Sequence, residues 1–334
     1  MALGDHFPIA LPVIRTLRVY NRTPQPRLSF PFTFCTVSKS LHTLRIQGFA
    51  FPYAQGHPHS RERVRNLVLI IPDPQDGNGD DDEGGQLVPY LMDMSKLSVL
   101  QLRIPPRTLT QTLNLHHLQS LSLQLSFPNV PNIAVLNTIT NPPGTSLRLT
   151  ILCGDLTADA FEHVFSTANS FLRQDVVYKT LVLSFMASER FNFQFWSHIV
   201  QPHEIASTPP NFSLSLHAKT SVDITTLCTI VGEHASVDKL DTLLLSLRPA
   251  LWQSTDLVAL AKILFFKLND LRILIAKYFP SAKIKLLLRQ RRDVTLAYVF
   301  PNLQQVLTSE YSMNPWDWRS GIPDSEVIPE RPIY

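Results

Sequence analysis

LHTLRI, Leu41 to Ile46, carries apolar residues at its first, fourth and sixth positions. Its ending alternates apolar, polar, apolar, a period of two that turns Leu44 and Ile46 to one face of a short strand and Arg45 to the other. The same pattern returns as IRTLRV at Ile14, VRNLVL at Val64, LSVLQL at Leu97, LQSLSL at Leu118, YKTLVL at Tyr178, LDTLLL at Leu240 and LNDLRI at Leu268, with a degraded copy, FPNLQQV, at Phe300. Successive copies start 21 to 33 residues apart except across two gaps of 60 and 62, and each long gap holds a weaker copy. These are SLRLTIL, with Leu147 and Leu149, and FSLSL, with Leu214 and Leu216, which brings the count to eleven. One such strand cannot bury its apolar row alone, whereas strands stacked side by side share a continuous core. The spacing therefore predicts an α/β repeat solenoid built on a parallel sheet of about eleven short strands.

Parallel neighbours need a return of a dozen or more residues. In LTADAFEHVFSTANSFLR, Thr157 is placed to cap a helix, Asp159 falls in its first turn, and Phe161, Val164, Phe165, Ala168, Phe171 and Leu172 form a stripe at helical spacing. STDLVALAKILFFKL repeats the design behind Ser254 or Thr255, and VDITTLCTIVGEHA sets Ile224, Leu227, Cys228 and Val231 on one side. RIPPRTLTQTLNLHHL, with paired prolines, predicts loops or single turns instead.

On these residues the chain resembles the leucine-rich-repeat superfamily, and within it the irregular repeats of fungal F-box-associated proteins, over about residues 11 to 310. The resemblance implies a horseshoe, with irregular helical and loop returns, and a role as the substrate-recognition part of a ubiquitin-ligase receptor. Two departures qualify it. The asparagine that follows the strand in the family is replaced at Arg22, Phe49, Pro72, Pro105, Ser126, Met186, Arg248, Ala276 and Thr308, so no asparagine ladder is expected. Only LGDHFPIALP precedes the first copy, so an F-box has no room there, and a receptor role is expected only if that module has been lost.

The 334 residues are 44% hydrophobic and 17% charged, enough apolar material for a large core. Cys35, Cys153 and Cys228 are odd in number and far apart, which implies neither a disulfide framework nor a paired-cysteine metal site. Asp5, His6 and two prolines interrupt the N-terminal stretch, and six polar or charged residues break the most apolar region, Leu257 to Phe279. An intracellular protein, cytoplasmic or nuclear, without a membrane span is the expectation. Net charge is +3, and six acids with no base lie between Asp73 and Glu83; the remainder has 30 basic against 21 acidic residues, or +9. Asp76, Asn78 and Asp80 begin a calcium-loop pattern, but Asp81 stands where its glycine belongs and Leu87 where its glutamate belongs. That stretch reads as a solvated loop insertion, residues 73–85, dispensable for folding because it buries nothing.

No nucleophile elbow, phosphate loop or HExxH helix occurs, and with 11 glycines no dinucleotide fingerprint finds a place. The close histidine pairs, His57 with His59 and His116 with His117, lack further converging ligands. The expectation is no enzyme, no cofactor and no metal. KIKLLLRQRR, from Lys283 to Arg292, reads as another strand or an edge guarded by cations, with nuclear import or phosphate binding as the alternative. The outward residues of the strands are the most informative surface. In the first half they are Arg18, Tyr20, Arg45, Gln47, Gln101, Arg103, Gln124 and Arg148, expected on the concave face with the arginines roughly in a row; in the second they are Val182, Ser184, Leu244, Ser246, Arg272 and Leu274. Arginine with tyrosine is the combination enriched at interaction hot spots. The sequence thus predicts a protein-binding scaffold with an acidic protein partner, ahead of nucleic-acid binding or an unrecognised α/β enzyme. The solenoid is expected over 1–312, with a tail at 313–334 whose Trp316 and Trp318 could cap its open end.

Overall fold

A computed structural model describes residues 14–21, 40–48, 63–71, 91–92, 94–103, 112–127, 133–172, 176–187, 190–201, 203–220, 222, 224–247, 270–277, 305–308 and 312–317. The acidic insertion, the helix expected behind Ser254, the basic run from Lys283, His57 and His59 lie outside these residues, as do Cys35 and Trp318. The chain is α/β, rich in mostly parallel strands with few helices, and divides into two compact units, Met1–Leu152 and Cys153–Tyr334.

In the first unit β1 (Thr16–Tyr20), β2 (Thr43–Gln47), β3 (Asn66–Ile70), β4 (Val99–Arg103) and β6 (Ser120–Phe127) follow one another in parallel. Their register aligns Leu17, Leu44, Leu67, Leu100 and Leu121. The last four are completely buried, whereas Leu17, on the outermost described strand, is half-buried. Each strand begins with the same pair of bonds: the N–H groups of His42 and Thr43 share the Arg15 carbonyl, Arg65 and Asn66 share that of His42, and Ser98 and Val99 share that of Arg65. Between β4 and β6 lies the two-residue β5 (Leu113–Asn114), paired in parallel with β7 (Ile139–Thr140). β8 (Ser146–Leu156) starts beside β6, its Ser146 N–H donating to the Gln119 carbonyl at 2.8 Å. β3 and β4 pair directly from Asn66 opposite Val99 to Ile70 opposite Arg103, with the acidic insertion between them in the chain.

At the end of β1, the Asn21 side chain donates to the Gly48 carbonyl at 3.0 Å, one position before Arg22, which stands at the site of the family asparagine. Gly48 is held at φ +77°, and a Cβ there would stand 2.5 Å from the Asn21 carbonyl oxygen, so the turn after β2 requires glycine.

The second unit departs from the expected succession. β9 (Thr180–Ala187), β10 (Arg190–Trp196) and β11 (Phe212–Thr220) form an antiparallel meander, and the strand order continues as β11, β10, β9, β12 (Thr242–Leu247), β13 (Ile273–Lys277), β14 (Gln305–Thr308) and β15 (Ser312–Asp317). The FSLSL copy is a strand, yet β10 separates it from YKTLVL. The reason is local: only Ser188 and Glu189 connect β9 to β10, too few for a parallel crossover and enough for a hairpin. RFNFQFW has the strict alternation of a strand, with Phe191, Phe193 and Phe195 buried. β15 returns antiparallel to β14, across the boundary expected at 312/313, with Trp316 opposite Val306.

A second correction concerns phase. Leu243 aligns with Leu181 on one side and with Leu274, not Leu271, on the other. The last well-formed copy is therefore LRILIA from Leu271, which satisfies the same pattern three residues later than LNDLRI. Leu274 is consequently buried, not outward.

Helix α1 (Ala158–Phe171) begins as its sequence predicts: the Thr157 hydroxyl accepts the Ala160 N–H at 3.2 Å, Asp159 lies in the first turn, and the apolar stripe is buried. It packs against α2 (Ile224–His234), where the Asn169 amide donates to the His234 carbonyl at 2.6 Å and the His234 ring lies 3.1 Å from Glu162. Beneath α1 an aromatic cluster fills the core: Phe161 meets Phe193, and Phe165 meets Phe195 and Phe212 at 5.4–5.7 Å between ring centroids.

Tyr178 packs on Phe195 at 4.9 Å with its hydroxyl buried and without a hydrogen-bond partner. Burial pushes its phenol well above the ordinary range. The folded state therefore keeps this proton where the unfolded chain loses it, near pH 10, so stability falls as pH rises beyond that point. Tyr178→Phe removes a donor that gains nothing and is expected to leave stability at pH 7 unchanged or raised by about 1–3 kcal/mol. It should also relieve the alkaline loss by about 1.4 kcal/mol per pH unit above 10. Urea unfolding at pH 7 and pH 11 measures both; a variant less stable at pH 7 would mean that the hydroxyl is satisfied.

Candidate functional site

The outward positions of the first unit form one surface because each alternates with a buried residue of its strand. Two rows cross the strands. One aligns Arg18, Arg45, Val68, Gln101 and Ser122; the next aligns Tyr20, Gln47, Ile70, Arg103 and Gln124. Arg18, Gln101 and Arg103 are exposed, Arg45, Gln47 and Gln124 are half-buried, and Tyr20 is 45% exposed. On β8, exposed Arg148 alternates with buried Leu147 and Leu149. The expected single line of arginines is corrected in this respect: Arg18 and Arg45 are direct cross-strand neighbours, whereas Arg103 lies two positions further along its strand. Arg18 and Arg45 are the third residues of their strands and Arg103 is the fifth, a difference already present in TLR against VLQLR.

Arg45 is the most constrained member of the surface. Its guanidinium carbon stands 5.6 Å from the centroid of the Tyr20 ring, the contact of a cation over an aromatic face. Its Nε is buried and makes no hydrogen bond. No residue of β1 to β4 or β6 is acidic, and neither Arg18, Arg45, Arg103 nor Arg148 has an ion-pair partner among the described residues. Between the arginines, Val68 and Ile70 give β3 a half-buried apolar centre. At the strand starts the Asn66 amide donates to the Thr43 hydroxyl at 3.3 Å.

The corresponding surface of the second unit is closed. Val182 and Leu244, expected outward and open, are buried under Trp196 and Val200, with Ile205 and Ile273 packed alongside. Ser246 is also buried, Ser184 is half-buried, and exposed Arg272 pairs with Asp241 at 3.5 Å. The covering segment is fastened by polar contacts. The Thr180 hydroxyl donates to the His198 carbonyl at 3.1 Å and accepts the Val200 N–H at 3.0 Å, and the Trp196 indole donates to the Thr208 carbonyl at 3.1 Å. This cover carries no repeat pattern, so the period-two reading of the strands gave no sign of it.

Among the described residues, no three His, Cys, Asp or Glu side chains gather where they could hold a metal ion. His116 and His117 are exposed in a turn ahead of β6. Burial, and secondarily Asp155, push the Cys153 thiol up to about 11, which keeps it protonated and weakly nucleophilic at neutral pH; Cys228 is buried. No described helix is long and apolar enough to cross a membrane. No protein-family model, curated protein or solved structure matches the chain.

Proposed function

We propose that the chain is a non-catalytic protein-binding scaffold of the leucine-rich-repeat solenoid type, which engages its partner through the outward face of β1 to β4, β6 and the start of β8. The observation that carries this reading is the set of exposed Arg18, Tyr20 and Arg103 with half-buried Arg45, unopposed by any acid on β1 to β4 or β6, with the Arg45 guanidinium pre-oriented over an aromatic ring. Arginine and tyrosine supply large, oriented contact area at little conformational cost, and they dominate binding hot spots. The in-register leucines of the first unit support the repeat reading: they hold neighbouring strands at fixed spacing, so the outward side chains form a defined array.

Affinity capture with quantitative mass spectrometry from the native cell tests the proposal. The double reversal Arg45→Glu and Arg103→Glu is expected to reduce recovery of the principal partner by well over tenfold while leaving the fold intact, because outward residues contribute little to the core. The control is the double reversal Arg291→Glu and Arg292→Glu in the basic run outside the described residues. If the control pair abolishes capture and the strand-face pair does not, the surface is wrongly placed and the basic run is the better site.

A further inference from the structure

We infer that the partner of this face presents an acidic peptide segment in which an apolar residue lies midway between carboxylates about four residues apart. The inference rests on the binding-face proposal above and specifies the chemistry that the face would select.

Three observations point to it. First, Arg45 has a buried Nε–H without an acceptor, although its neighbours hold its guanidinium over Tyr20. The ring contact orients the guanidinium before a ligand arrives, and a carboxylate matches a guanidinium fork in two bonds at once. Second, Arg18 is the direct cross-strand neighbour of Arg45. Two like charges one strand apart repel, and a single ligand carboxylate set between them would relieve both. Third, the cations do not form a continuous stripe: Val68 and Gln101 interrupt one row and Ile70 the other, before Arg103 is reached. A nucleic-acid backbone calls for a continuous basic track, whereas this arrangement has a cationic pair, an apolar centre and then a second cationic point.

The spacing follows from sheet geometry. From Arg45 to Arg103 is two strands across, about 10 Å, and two residues along, about 7 Å, so about 12 Å on the diagonal. An extended peptide advances about 3.3 Å per residue and covers about 13 Å in four, so carboxylates at the two ends and the apolar side chain midway share the face toward the sheet, the apolar one over Val68 and Ile70. Gln47 and Gln101 flank this path and offer amides to the ligand's backbone or polar side chains.

The test is fluorescence anisotropy on the full chain with a labelled peptide containing Glu-Asp-Leu-Ser-Glu between Gly-Ser flanks. Three comparison probes are the same peptide with amides replacing its acids, the same with serine replacing its leucine, and an oligothymidylate of matched length. The acidic peptide is expected to bind at least tenfold more tightly than the amide form and several-fold more tightly than the leucine-free form. Arg45→Glu, and separately Arg103→Ala, should each weaken it by tenfold or more, with thermal melts confirming that both variants remain folded. Equal binding of the acidic and amide probes overturns the inference, as does tighter binding of the oligothymidylate, which would assign the face to phosphates. If Arg45→Glu with Arg103→Glu abolishes native capture while the acidic peptide fails to bind, the peptide chemistry is wrong and the binding face stands. If the acidic peptide binds through both arginines while native capture is unchanged, the peptide chemistry is supported and the proposed function of the face is overturned.

Discussion

Phe195→Ala is expected to destabilise the second unit by about 3–5 kcal/mol, the range for truncating a buried aromatic ring. Phe195 is completely buried on the middle strand of the antiparallel meander, aligned with Leu181 on one neighbour and Phe212 on the other. Its ring stacks on Phe212 at 5.3 Å and meets Phe165 of α1 at 5.7 Å and Tyr178 at 4.9 Å, so one truncation removes contacts between the sheet, the helix and the strand entry together. The neighbours are large rings on separate elements, which collapse poorly into the space left behind. Phe195→Leu, which keeps much of the volume, should cost distinctly less. Urea unfolding followed by hydrogen exchange of peptides covering β9 to β11 checks this; a loss below about 1 kcal/mol would mean that β10 is not packed as described.

Leu121→Ala is expected to cost about 2–5 kcal/mol in the first unit, against about 1–2 kcal/mol for Leu17→Ala. The two leucines occupy equivalent register positions, separated by three intervening strands. Leu121 is completely buried on a strand with a neighbour on each side, whereas Leu17 is half-buried on the outermost described strand and loses less when shortened. Equal losses in urea unfolding of the two variants would show that position along the strand series has no effect on the core, contrary to a unit built by stacking.

The legible parts of the fold are those where one element repeats one physical need. Leu44, Leu67, Leu100 and Leu121 were readable as an aligned buried row because each strand has the same inward period and a return long enough for a parallel crossover. α1 was readable because Thr157, Asp159 and the phenylalanine stripe agree at three levels: cap, charge and period. β10 lies outside the leucine pattern because its inward residues are phenylalanines, although RFNFQFW alternates as strictly as any copy and the two-residue link before it demands a hairpin. Leu271 was misassigned because LNDLRI and LRILIA overlap and both satisfy the pattern; pairing with β12 decides between them.

The candidate site divides in the same way. That Arg18, Arg45 and Arg103 point away from the core follows from alternation, and it was legible. The stacking of Arg45 on Tyr20 was not, because it joins residues on different strands and depends on register. The closed face of the second unit was illegible for a related reason: Trp196 ends β10, and Val200 and Ile205, which join it over Val182 and Leu244, lie in the aperiodic segment that follows.

The most direct test of the binding face is arginine footprinting of the chain, free and bound to its captured partner. Phenylglyoxal modification is quantified by mass spectrometry at Arg18, Arg45, Arg103 and Arg148, with exposed Arg190 and Arg272 of the second unit as internal references. Binding through the outward strands predicts strong protection of Arg18, Arg45 and Arg103 in the complex and unchanged reactivity of Arg190 and Arg272. Undiminished modification of Arg18, Arg45 and Arg103 in the saturated complex would contradict it.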